Sequence, residues 1–398
     1  MRLSRRTSLA LLGGALATPV LGRVALAAAD TDRRLVVVIL RGALDGLAAV
    51  PPFFDPEYRA LRAGLGPAEP GAADGALPLD GGYGLHPALA TFHAQMARGE
   101  AAIVHAVATP YRERSHFDAQ DLLENGTIRA RGASDGWLNR ALALLGQEKS
   151  RRGIAVGQSV PLVIRGPVPV GGWAPQTMPG LNADFVALLQ QVYRGDAAFD
   201  AALREGLRAH AMSEEVLGDE KGMGRGARGP QAIRSTATAV GRLLAAADGP
   251  RIAAMDIGGW DTHSGQNARL AQMLKALDDG LAAFEHALGD AWRRTVIVVA
   301  TEFGRTARAN GTAGTDHGTA TVAMLAGGAV AGGKVLGTWP GLAETRLHQG
   351  RDLAPTTDLR SVLKGVLGGH LGIARDRLDR TVFPDSADAA ALAGLVKA

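Results

Sequence analysis

Five short apolar runs constrain the fold of this chain most strongly: "LVVVIL" (35–40), "AAIVHAV" (101–107), "RIAAMDI" (251–257), "TVIVVAT" (295–301) and "TVAMLAG" (321–327). Each has the length of a strand, and each is nearly continuous rather than alternating. A strand wetted on one face alternates polar and apolar residues, whereas a continuous run belongs to a strand covered on both faces. Helical spacing fills the intervals. Leu85, Leu89, Phe92 and Met96 mark one helix face, with Pro87 in its first turn. Leu270, Leu274, Leu277, Leu281, Phe284 and Leu288 mark a longer helix. Asn182 to Tyr193 reads as another, stopped by Gly195. Strands alternating with helices predict an α/β fold with a mostly parallel central sheet flanked by helices.

The stretch before Asp30 stands apart. It has a basic start, an apolar middle and "ALAAA" at its end, which is the pattern of an export signal over 1–29. "SRRTSL" carries Arg5 and Arg6, so the expected route is the twin-arginine one, and the expected location is periplasmic or secreted. The remainder, 30–398, is expected to form a single domain. Within it 146–250 is the least regular part and reads as a cap-like segment. It holds a short strand candidate, "PLVIRG" (161–166), and a Gly-rich stretch (218–230) expected to be a surface loop. "GMGRGARG" follows no strand and does not fit a phosphate-binding loop.

The formal charge of +4 comes from the leader: removing Arg2, Arg5, Arg6 and Arg23 from 43 basic residues leaves 39 against 39 acidic ones. A mature chain near neutrality gives no ground for nucleic-acid binding, nor for a membrane partner after signal removal. There is no cysteine. Disulfides and thiolate metal sites are thereby excluded, and any metal must be held by histidine and carboxylate.

Ionisable residues gather where the apolar runs end. Asp45 follows the first, Asp261 and His263 the third, and Glu302 the fourth. In open α/β sheets ligands bind at the carboxyl ends of strands. Asp316 and His317 precede the last run instead. The link from Glu302 to Thr321 is polar, glycine-rich and without helical spacing. A parallel neighbour needs a helical crossover. The run at 321–327 is therefore expected to return antiparallel and to bring His317 to the same edge.

Asp261-x-His263 plus His317 is a two-nitrogen, one-oxygen set suited to zinc. Asp45 with Glu302 offers only oxygens and suits a second, harder ion such as magnesium or calcium. Asp316 is placed to orient His317. "YRERSHFDAQD" (111–121) follows the second run. Ser115 is either a plain helix cap or a nucleophile at a helix N-terminus. His116 and Asp118 are candidate bases or ligands, and Arg305, like Arg41, is a candidate anion binder. Plainer readings stand beside these: Asp45 and Asp316 as turn formers, and Glu302 as the partner of Arg305.

"LRGALDGL", "SHFDAQD", "GGWDTH", "EFGRT" and "GTDHGTATVAML" resemble, in combination, the secreted bacterial family called domain of unknown function 1501. That family is similar in fold to the alkaline phosphatase and sulfatase superfamily. The resemblance implies metal-dependent hydrolysis of phosphate or sulfate esters, with a small anionic ester or a sulfated or phosphorylated polymer as substrate. It implies Asp45 as a first-strand metal ligand, Ser115 as nucleophile, and Asp261, His263 and His317 as ligands of one metal, expected to be zinc. Glu302 matches an aspartate that precedes a metal-binding histidine, but Phe303 stands where that histidine is expected, so the second ion (magnesium, calcium or zinc) is the weaker expectation. A non-catalytic secreted binding or assembly protein that keeps the fold is the alternative.

Overall fold

A computed structural model describes residues 32–145, 153–175, 182–217 and 229–397. The expected export signal, and most of the Gly-rich stretch at 218–230, lie outside the described residues. Thr31–Ala398 forms one compact unit.

The five apolar runs are strands of one sheet. In chain order the described strands are β1 (Arg34–Arg41), β2 (Leu77–Pro78), β3 (Gly84–Leu85), β4 (Ala101–Ala108), β5 (Gly153–Val156), β6 (Gly171–Trp173), β7 (Ile252–Gly258), β8 (Thr295–Thr301), β9 (Thr321–Ala326), β10 (Val335–Leu336) and β11 (Thr357–Asp358). β2 and β3 pair apart from the rest, and the main sheet runs β10-β4-β9-β8-β1-β7-β5-β6, with β11 also on β4. β1 is central, parallel to both β7 and β8, with Val38 opposite Met255 and Val299. β9 is antiparallel to both of its neighbours, β8 and β4. The sheet is thus mostly parallel with one reversed strand, as the helix-free link before Thr321 predicts.

The continuity of the apolar runs has a direct cause. Val36, Val38 and Leu40 pack into one buried cluster, with Phe92, Leu274, Leu277 and Phe284. Leu35, Val37 and Ile39 pack into another, with Leu138, Leu142, Val362 and Leu367. Successive side chains of a strand point to opposite faces, so a strand between two helical layers needs apolar residues at every position.

Two expectations are corrected. The helix placed from Leu85 begins at Ala90, and Leu85 belongs to β3. Its start is fixed from outside: Asp278, on the helix Gln266–Leu288, accepts from the backbone N–H groups of Thr91 (3.0 Å) and Phe92 (2.9 Å). "PLVIRG" is a 3-10 turn, Leu162–Ile164, not a strand. Asn139 takes its backbone instead, donating to the carbonyls of Ile164 and Val168 (both 2.8 Å) and accepting from the Val168 N–H. The strands of this region are β5 and β6, which extend the sheet beyond β7. The helix Pro230–Ala245 contributes Ala237, Val240, Leu243 and Leu244 to the first cluster, so part of the segment expected as a cap is continuous with the sheet and its helical layer.

Candidate metal centre

The ends of β7 and β8, the start of β9 and the loop after β4 converge on one edge. Glycines let them approach. A Cβ at Gly314 would lie 2.2 Å from the His263 carbonyl oxygen, and one at Gly318 would lie 2.4 Å from the Arg305 backbone. The Asp316-His317 pair stands between these glycines because the chain there runs against two other backbones.

Four side chains meet. The Nε2 of His317 is 3.0 Å from the Nε2 of His116 and 3.0 Å from the Nε2 of His263. Asp261 Oδ1 lies 3.3 Å from the Nε2 of His317 and 3.1 Å from that of His263, and Asp261 Oδ2 lies 3.6 Å from that of His116. Two triangular faces of donors therefore share the Asp261–His317 edge. With zinc–nitrogen bonds of about 2.0–2.1 Å, neighbouring donors in a tetrahedral site are about 3.3 Å apart. The observed separations fit that spacing, and His116, Asp261 and His317 form a group that could hold a metal ion.

The outer nitrogens decide what the inner ones can do. His116 Nδ1 bonds Glu302 Oε1 (2.8 Å), His263 Nδ1 bonds Asp316 Oδ1 (3.2 Å), and His317 Nδ1 bonds the Arg114 carbonyl (3.0 Å). Each partner is an acceptor, so each Nδ1 carries the proton and each Nε2 presents a lone pair. Lone pairs facing one another at 3.0 Å repel unless a cation lies between them. In the ion-free protein a proton can do this. The hydrogen bond and charge of Glu302 push the His116 pKa up against the cost of burial, while burial, with the positive charges of His116 and Arg305, pushes that of His317 down. These opposite directions favour His116 over His317 as the holder of a proton between them. A metal ion there would replace it with a stronger bridge.

Several other residues expected as ligands are engaged by protein partners. Glu302 is fully buried. Its Oε1 accepts from the Gly42 N–H, His116 and Gln120, and its Oε2 from Thr301. Burial alone would raise its pKa, but these donors outweigh burial and hold it below the ordinary glutamate value. Through Oε1 it orients His116. Asp45 is likewise buried and engaged by Arg62, by Gln266 and by the Ala48 N–H, whose short helix it caps. Asp316 serves His263, not His317. Arg305, expected at a substrate anion, donates to Asp261 (2.6 Å) and to Thr315 and is 1% exposed. Burial pushes the Asp261 pKa up, and Arg305 more than reverses this. Arg41 is tied to Gln120, Glu124 and Asp256. Phe303 stacks on His116, with ring centres 4.9 Å apart, and walls the centre.

Ser115 precedes the helix His116–Asn125, yet its side chain makes no capping hydrogen bond. Its backbone N–H donates to the Tyr111 hydroxyl (3.2 Å). Asp118 faces Arg131. Sequence reasoning missed Arg114. Its backbone is left-handed (φ 63) and its side chain is clamped by Asp352 (2.8 Å) and Gln349 (2.7 Å), which aims its carbonyl at His317. The short run from Glu113 to His116 carries no local sign of that.

The fold and this edge define an α/β protein with a histidine–carboxylate centre at the carboxyl ends of its strands. The chain belongs to the family described as "Protein of unknown function (DUF1501)", whose model matches residues 86–382. Among solved structures it is similar to Ps i-CgsB in complex with k-i-k-neocarrahexaose (10% identity, TM-score 0.41, covering 89% of this chain and 76% of that one). It is also similar to the phosphonate monoester hydrolase of Agrobacterium radiobacter (11%, 0.40, 86% and 74%), and to the lipoteichoic acid synthase LtaP from Listeria monocytogenes (10%, 0.39, 91% and 76%). Likeness at this level concerns the fold alone. No curated protein matches the sequence.

Proposed function

We propose that the protein is an exported zinc-dependent hydrolase of phosphate or sulfate esters. The convergence of three Nε2 lone pairs and the Asp261 carboxylate, each with its own anchor, carries this reading. Nitrogen donors with one carboxylate favour zinc over magnesium or calcium. A bound ion would supply Lewis acidity towards an ester oxygen. The chain supplies the rest. Ser115 adjoins His116 in the sequence and leaves its hydroxyl uncommitted. It stands at a helix N-terminus, where unpaired N–H groups favour an anionic substrate. The serine oxygen would bond to phosphorus or sulfur as the ester bond breaks, and water would then release the acid.

The test is zinc content and turnover of p-nitrophenyl phosphate and sulfate by the mature protein and by Ser115→Ala. Loss of turnover by on the order of 10³-fold, with zinc retained, is expected of the variant. Equal turnover in both would remove Ser115 from the mechanism. Zinc without turnover would favour the second reading, a metal-stabilised binding or assembly protein. That reading has its own support in the engagement of Arg305, Glu302 and Asp45 by protein partners.

Export is part of the proposal. No helix of the described residues is long and apolar enough to cross a membrane. Arg5 and Arg6 are proposed to direct the twin-arginine route, so replacing both by lysine, which keeps charge but loses the guanidinium pair, should leave the protein in the cytoplasm. Undiminished export of that variant would point to the general route.

A further inference from the structure

Behind the metal centre lies a second charged group that the reading above does not use. Arg62 and Asp45 are each about 1% exposed and bonded to one another. Every hydrogen-bond partner of the Arg62 guanidinium is an oxygen: Asp45 Oδ2, the Thr306 carbonyl (3.2 Å) and the Ala307 carbonyl (3.4 Å). Its Nε has no partner at all. A carboxylate and two carbonyls around one buried guanidinium are the kind of donors a hard cation takes.

The cage is wired to the centre. Asp45 accepts from the Gln266 amide. An ionised carboxylate only accepts, so the amide must present its oxygen the other way, where it accepts from Thr262 (2.9 Å) and Thr315 (2.6 Å). The Thr315 hydroxyl in turn accepts from Arg305 (3.1 Å), which donates to the ligand Asp261. The orientation of every group along this line follows from the charge on Asp45.

We infer that Arg62 is a built-in second cation: its guanidinium occupies an oxygen-lined site that would otherwise take a hard divalent ion, and the protein holds one exchangeable metal per chain. Arg62 is thus a positioning residue for Asp261, acting through Asp45, Gln266, Thr315 and Arg305. This rests in part on the zinc reading, but the cage can be tested without it.

The experiment is Arg62→Ala, with melting curves and metal content measured in chelator, then in excess magnesium or calcium. Wild type should hold one metal ion and its melting temperature should not respond to magnesium or calcium. Arg62→Ala strands a buried carboxylate and should melt roughly 5–10 °C lower. Added calcium or magnesium should restore much of that loss and appear as one further ion per chain. Asp45→Asn/Arg62→Met, which removes both charges, should lose the response and keep the wild-type metal count. Two exchangeable ions in wild type, or an Arg62→Ala variant that neither ion stabilises, would overturn the inference. If Arg62→Ala does not fold, the double variant decides: metal content falling by one ion relative to wild type would make Asp45 a ligand and refute the inference. Absence of zinc from wild type would sink the hydrolase reading while leaving the calcium response of Arg62→Ala to judge the cage.

Discussion

Replacing His317 with alanine is expected to abolish zinc retention on dialysis, because both donor faces share this residue. Spread over four donors, the binding free energy of a structural zinc makes one ligand worth on the order of 10²-fold or more in affinity. At saturating zinc a 100-fold loss removes about 2.7 kcal/mol of linked stability. Glu302→Gln tests the layer behind. It leaves all ligands in place but removes the charge that holds the proton on His116 Nδ1, and should cost about 10–100-fold in affinity. It should also lower the His116 pKa, visible as an earlier imidazole titration by NMR in chelator. The observation that would sink the centre is a wild-type melting curve that chelator leaves unmoved.

Acid should unfold the ion-free protein well above the ordinary carboxylate range. His86, His105 and His370 are buried, and burial pushes each pKa down to about 4. Their neighbours want neutral rings. His105 Nε2 donates to the Val50 carbonyl while its Nδ1 accepts from the Ala106 N–H, so a second ring proton would face a donor. His86 Nδ1 likewise accepts from the Ala88 N–H, and His370 Nε2 donates to the Arg34 carbonyl. A histidine whose folded pKa is depressed keeps its full stability above the unfolded value of 6.5 and loses it as pH falls towards 4. Each shift of about 2.5 units corresponds to about 3 kcal/mol, and three together rival the whole stability of an ordinary domain. His116 acts in the opposite sense: its contribution is complete below its unfolded pKa and is lost as pH rises through the folded one. It is a single, partly buried group, so the net trend should remain loss of stability towards acid. Melting temperatures in chelator should fall most steeply between about pH 6 and pH 4. His370→Gln, which keeps a donor for Arg34 but cannot titrate, should flatten that slope. A melting temperature constant from neutrality down to about pH 4.5 would contradict the assignment.

The layers of the fold were legible because burial on both faces writes itself into consecutive residues, as in β1 and β8. The reversed β9 was legible from what its preceding link lacks. The Asp261, His263 and His317 grouping followed from those two readings. What escaped depends on partners far off in the chain. "PLVIRG" is as apolar as a strand, and only Asn139 makes it a turn. Glu302 and Asp45 have the composition of ligands, and the partners that engage them, His116, Gln266 and Arg62, are brought up from elsewhere in the chain. Arg114 acts through its backbone carbonyl, which no side-chain pattern records.

The reversed β9 also fixes when the centre can form. Its donors come from positions as far apart as His116 and His317, 201 residues away. Closing so long a loop costs chain entropy before any contact repays it. His317 reaches His116 only after β9 has slotted between β8 and β4, the step that completes the middle of the sheet. A metal ion held there would therefore find its ligands late, and its binding energy would lie on the native side of the folding barrier. It would delay unfolding rather than hasten folding, acting as a latch on a sheet already assembled.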